Sequence, residues 1–86
     1  MFEIEFSKEA ENDIKSLEKK TAEMILKKIY SIKLNPLHYL ERLVGFTLWK
    51  LRVGDYRAII QINTHKNTIF VVKIGHRKNV YKNLKD

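Results

Sequence analysis

From Phe46 onward the apolar residues recur at every second position, and no other feature of the sequence constrains the fold as strongly. Trp49, Leu51 and Val53 fall on one face of an extended segment, and Leu48, Lys50 and Arg52 on the other. Gly54-Asp55 is a turn signal. Tyr56, Ala58, Ile60 and Ile62 then alternate with Arg57, Ile59 and Gln61. Residues 63–67 read as a second loop. A third segment follows over 68–74, where Phe70, Val72 and Ile74 alternate with Ile69, Val71 and Lys73. Three such segments on short loops predict an antiparallel meander. Trp49, Leu51, Val53, Ala58, Ile60, Phe70, Val72 and Ile74 form the face that other elements must cover.

The first 45 residues supply the cover. Phe2, Ile4 and Phe6 alternate with Glu3 and Glu5, which reads as a half-buried strand. Ser7 is placed to cap a helix whose Ala10, Ile14 and Leu17 form one narrow apolar stripe, with Glu9 and Glu11 in its first turn. A second helix, capped by Thr21 and running to about Leu34, carries Ala22, Ile25, Leu26, Ile29 and Ile32. Asn35-Pro36 ends it, because a residue before proline avoids the α region. Residues 35–45 read as a loop, and residues 77–86 as a basic short helix or extended tail. The expected architecture is α+β, in the order β-α-α-β-β-β. Two N-terminal helices pack on the meander, and residues 1–86 make one domain.

Charge sharpens the functional reading. Residues 1–24 hold seven acids and four bases, whereas residues 25–86 hold thirteen bases and only Glu41, Asp55 and Asp86 as acids. Within the three period-two segments Lys50, Arg52, Arg57, Gln61 and Lys73 share the face opposite the core, Arg77 follows them, and no acid alternates onto it. Nucleic acid, a ribosome or an acidic protein is the natural partner of such a surface. An ordinary solvated sheet also presents cations, so the pattern alone leaves the choice open.

Several classes are excluded. At 86 residues the chain is too short for a multi-domain enzyme or a dinucleotide-binding domain. It lacks cysteine, and so has neither a disulfide framework nor a thiolate site. His38, His65 and His76 have no second ligand at metal-binding spacing, and with three glycines there is no phosphate-cradling loop motif. No metal and no cofactor is expected. No apolar run approaches the roughly 18–20 residues of a membrane span, and Met1-Phe2-Glu3-Ile4-Glu5 is acidic where a signal peptide is basic. A cytoplasmic protein with no membrane partner is expected.

Cations and proton-transfer groups on one face suit phosphate chemistry. Arginine and lysine neutralise phosphoryl oxygens as a fork and a point charge respectively. RNA cleavage further needs a group to activate a 2′-hydroxyl and one to protonate the leaving 5′-oxygen. Tyr56, Tyr81, His76 and the lysines are the candidates, and packing or capping is the competing role for the tyrosines.

Leu48-Trp49-Lys50-Leu51-Arg52-Val53-Gly54-Asp55-Tyr56-Arg57, followed by Val71-Val72-Lys73-Ile74-Gly75-His76-Arg77 and Val80-Tyr81, resembles the signature of RelE toxins, in the RelE/ParE superfamily of type II toxin–antitoxin systems. The resemblance extends over nearly the whole chain, most specifically its C-terminal half. It implies an mRNA endonuclease that works in the ribosomal A site without a metal. There the 2′-hydroxyl attacks the neighbouring phosphate to leave a 2′,3′-cyclic phosphate and a 5′-hydroxyl. On that resemblance Arg57 stabilises the transition-state phosphate, Arg77 assists the leaving group, Tyr81 is the base, and Lys50 stabilises charge. Arg52, Lys73, His76, Lys78 and Lys82 are the implied RNA-binding residues. Leu48 stands where some members have a second lysine, and the interval from Arg77 to Tyr81 is shorter than in the family, so His76 is a competing proton-transfer candidate. The resemblance also implies a RelB-like antitoxin partner that wraps the toxin. Two further readings use the same fold: a ParE-like poison of DNA gyrase, and a non-catalytic nucleic-acid-binding module. The joint presence of Lys50, Arg57, Arg77 and Tyr81 favours the nuclease.

Overall fold

The computed structural model describes residues 1–82 and Leu84. Its elements in chain order are β1 (Glu3–Phe6), α1 (Lys8–Lys15), α2 (Lys19–Ser31), α3 (Pro36–Tyr39), β2 (Glu41–Arg42), β3 (Trp49–Val53), β4 (Tyr56–Asn63) and β5 (Thr68–His76). One sheet holds all five strands in the order β1-β5-β4-β3-β2. The meander β3-β4-β5 is antiparallel as its short loops require, and β1 joins its far edge parallel to β5. The α+β architecture expected from the sequence is therefore present. Among the described residues no helix is long and apolar enough to cross a membrane.

The helices form where their apolar stripes can be buried. Ser7 caps α1 by accepting from the Ala10 amide at 3.0 Å. Ala10 on α1 and Ile25, Ile29 and Ile32 on or beside α2 are fully buried against Leu51, Val53, Ala58, Ile60, Ile69, Val71 and Ile74. The second helix differs from expectation at both ends. It starts at Lys19 after Glu18 rather than behind a Thr21 cap, and it stops at Ser31. The stretch 35–45 is also more than a loop. Pro36 opens the one-turn helix α3, and Glu41–Arg42 pairs with Trp49 and Lys50 as an edge strand.

The third strand of the meander corrects the expected facing of its side chains. Ile69 and Val71 are fully buried in the main core, whereas Phe70 and Val72 are half-buried outside it. A bulge is the cause. Ile59 pairs with Lys73 and Ile60 with Val71, so Val72 is the extra residue and the alternation slips by one. Ile74, beyond the bulge, returns to the core.

Where β1 ends, Ser7 and Asp13 take over its pairing role along the β5 edge. The Ser7 amide donates to the Val71 carbonyl at 2.9 Å, and the Ser7 hydroxyl donates to the Val72 carbonyl at 2.6 Å. The Asp13 carboxylate on α1 accepts from the Ile74 amide at 2.9 Å. Buried backbone groups demand such partners. Asp13→Ala is expected to destabilise the fold by about 1–3 kcal/mol, with Asp13→Asn much milder because its carbonyl still accepts. Urea denaturation of the two variants checks this, and equal stabilities would remove the capping role.

Candidate functional site

Strand register sets out the candidate residues on the sheet face away from α1 and α2. Lys50, Ile59 and Lys73 lie in one row across β3, β4 and β5, and Arg52, Arg57 and Gly75 in the next. With strands about 4.8 Å apart and alternate residues about 6.6–6.8 Å apart along each strand, the two rows form a compact patch. No side chain on one strand alone could gather four cations this closely.

Arg57 is the exception among them. The sequence pattern places it on an exposed face, but it is only 9% exposed. Its Nη1 donates to the carbonyls of Gly54 and Tyr56, each at 2.8 Å. Two causes act together. Arg57 lies directly across from Arg52, and like charges in that relation repel. The β3–β4 turn, with Gly54 at φ +60°, aims carbonyls back at the guanidinium. The head group is thereby held in one orientation with donors to spare, since a guanidinium carries five N–H bonds.

The other cations carry loose carboxylate partners. Lys50 Nζ lies 3.8 Å from Glu41, Lys73 Nζ lies 3.7 Å from Glu9, and Arg77 Nε lies 3.6 Å from Asp55. Glu41, Glu9 and Asp55 are well exposed. Such pairs stabilise by about 0–1 kcal/mol, little enough for the lysine head groups to turn to a phosphate. Sequence reading missed all three acids. Glu41 is invisible to it because β2 is two residues long, and Glu9 because it reaches Lys73 from another element. Only Asp55 left a signal, its place in the turn before Tyr56-Arg57.

The cationic face is not wholly open. Leu48, Ile59 and Val80 form a second small core with Leu43, Phe46, Val72 and Leu84 around it. A sheet cannot leave Leu48 and Ile59 in water, and the C-terminal segment folds back to cover them. Residues 77–82 are a succession of turns, neither the helix nor the extended tail of the sequence expectation. The Asn79 and Val80 amides both donate to the His76 carbonyl at 2.9 Å. Val80 then sits over Gly75, where a side-chain Cβ would lie 3.4 Å from Val80 Cβ. Lys73 fastens the same segment by donating to the Lys82 carbonyl at 3.1 Å. Tyr81 is left 40% exposed on the turn, with Lys78 and Lys82 also exposed.

Arg77 joins the site from the end of β5, its amide donating to the Asp55 carbonyl at 2.8 Å. His76 does not face Arg57. It is paired with Tyr56, whose ring packs on the main core; the two rings lie 5.7 Å apart, edge to face at 78°. Together they border an open cleft of about 380 Å³ that runs from Asp13, Ser16 and Leu17 at the α1 end to Lys73, Asn79 and Val80. His76 Nδ1 accepts from the Lys78 amide at 3.2 Å, so the neutral ring carries its proton on Nε2. Of the proton-transfer candidates, Tyr81 follows Val80 on the turn covering the cationic face, and His76 stands on the helix side.

Residues 4–81 match the protein-family model described as the ParE toxin of type II toxin–antitoxin systems, parDE. Among solved structures, the fold is similar to the RelBE2 toxin–antitoxin complex of Mycobacterium tuberculosis, with a TM-score of 0.80 at 19% identity over 88% of this chain and 98% of that one. The archaeal RelE–RelB complex of Pyrococcus horikoshii OT3 gives 0.76 at 22% identity, covering 92% and 98%. The RelBE complex of E. coli gives 0.74 at 23% identity, covering 88% and 96%. No curated protein matches the sequence.

Proposed function

From the premise that this chain belongs to the ParE toxin family of type II toxin–antitoxin systems, we propose that it is an mRNA interferase of the RelE kind. The observation that carries the reading is the grouping of Arg57, held rigidly by two carbonyls, with Lys50, Arg52 and Lys73 on one face and with Arg77 at the same end of the sheet. A site that only attracts RNA needs mobile surface charge. A guanidinium fixed with donors to spare suits a phosphate whose charge grows during reaction.

In this reading mRNA lies across the cationic face in the ribosomal A site, with Arg52, Lys73, Lys78 and Lys82 on its backbone. The ribose 2′-oxygen attacks the adjacent phosphorus, and its proton passes to Tyr81, which accepts it as the phenolate. Arg57 and Lys50 stabilise the charge on the non-bridging oxygens. The bond to the 5′-oxygen breaks, Arg77 hydrogen-bonds that oxygen as its charge develops, and the oxygen takes a proton from solvent water to leave as a 5′-hydroxyl, with a 2′,3′-cyclic phosphate on the other fragment. No metal or cofactor takes part. His76 reaches RNA at the cleft that it shares with Lys73.

A RelB-type antitoxin is the second partner. Met24, Tyr30, Leu34, Leu37 and Tyr39 are large apolar or aromatic side chains left 46–77% exposed along α2, α3 and the link between them, which suits a protein that wraps the helices. Residues 1–86 act as one toxin domain, in the cytoplasm where translation runs.

Gyrase poisoning is the second reading, favoured by the family model's own description as ParE. Primer extension on an mRNA in a translation extract separates the two. The expected result is cleavage within in-frame codons by the antitoxin-free protein. Intact mRNA with inhibited DNA supercoiling would overturn the nuclease reading in favour of gyrase.

A further inference from the structure

Three consecutive residues of the β3–β4 turn hold both arginines of the site. The carbonyls of Gly54 and Tyr56 accept from Arg57 Nη1, each at 2.8 Å. Between them, the Asp55 carbonyl accepts from the Arg77 amide at 2.8 Å, and the Asp55 carboxylate lies 3.6 Å from Arg77 Nε. The turn thus fixes the head group of one arginine and the backbone of the other, and places a carboxylate beside the second head group.

We propose that Asp55 is a positioning residue that aims Arg77 at the phosphate held by Arg57, an inference that rests on the nuclease reading above. The chemistry of the pair supports this. The carboxylate stands on the Nε side of the guanidinium, which leaves the terminal Nη donors for an incoming phosphate. The Arg77 side chain is about half exposed and has many rotamers to choose from, so a carboxylate on the turn that also holds its backbone biases the choice among them. Charge argues the same way. Asp55 is one of three acids among residues 25–86, and a carboxylate beside a phosphate-binding arginine weakens attraction for RNA. An acid in that place opposes simple binding and serves orientation.

The two roles predict opposite changes. Asp55→Asn is expected to lower kcat for cleavage on programmed ribosomes about tenfold, while KM stays level or falls because a negative charge has gone. Asp55→Glu is expected to restore part of the loss. In an Arg77→Ala background, Asp55→Asn is expected to change nothing further, because the side chain it positions is absent. An unchanged kcat, or an equal loss in both backgrounds, overturns the proposal. A measurement independent of activity separates it from the nuclease reading. In ¹H–¹⁵N spectra of the free toxin the Arg77 Nε–H resonance is expected to move in Asp55→Asn while that of Arg57 stays. A wild type that leaves mRNA intact removes the nuclease reading, and an Arg77 resonance that does not respond overturns the Asp55 inference in either case.

Discussion

Arg57→Lys is expected to slow mRNA cleavage by about 10²–10³-fold, the loss typical of removing one aligned donor from a developing oxyanion. Lysine keeps the charge at the position but not the fork. One ammonium cannot accept the role of two-carbonyl anchor and still present aligned donors to a phosphate. The substitution also leaves the Gly54 and Tyr56 carbonyls short of a donor, which costs about 1–3 kcal/mol. Because Arg57 is buried, Arg57→Ala is the poorer test, since it changes folding together with chemistry. Single-turnover cleavage paired with a thermal melt separates the two effects. A lysine variant that cleaves at the wild-type rate would reduce Arg57 to a point charge.

The largest effect on stability is expected at Ile60→Ala. Ile60 is fully buried in the middle of β4, between β3 and β5, and it belongs to the main core together with Ile25 and Ile29. Truncating such a side chain costs about 2–5 kcal/mol, part transfer and part cavity. Domains of this kind are stable by about 5–15 kcal/mol, so the loss is a large share of the total. At about 4–8 °C per kcal/mol the melting midpoint drops by at least about 8 °C. Val80→Ala makes the contrast. It thins only the second core, so it is expected to loosen the segment bearing Tyr81 while the melting midpoint moves less. Equal midpoints for the two variants would mean that the faces of the sheet are not separate cores.

The sequence disclosed what depends on local periodicity. The helix stripes through Ala10 and through Ile25, Ile29 and Ile32 face the core, and β3 and β4 alternate as read. Ser7 caps its helix as expected, although its second bond to Val72, 65 positions away, lay beyond any local pattern. Residues 69–72, Ile-Phe-Val-Val, are apolar in both phases, so nothing in them marks the bulge that exchanges their faces. The candidate site was legible as a set of cations on one face. Its working detail was not. Whether Arg57 is exposed or anchored depends on how a turn directs its carbonyls, and which acid meets Lys73 depends on tertiary packing. His76 illustrates the limit. One position along a strand separates it from Gly75 on the site face, and that single step turns it to the helix side.

The parallel pairing of β1 with β5 has a consequence in time. β1 is synthesised well before its partner, which comprises Thr68 to Val71. At a synthesis rate of about 5–20 residues per second, the 65 positions separating Ser7 from Val72 take about 3–13 s to make. Through that interval β1 has no strand to join, and the arginine at the end of β5 does not yet exist. The sheet closes only after β5 has been made.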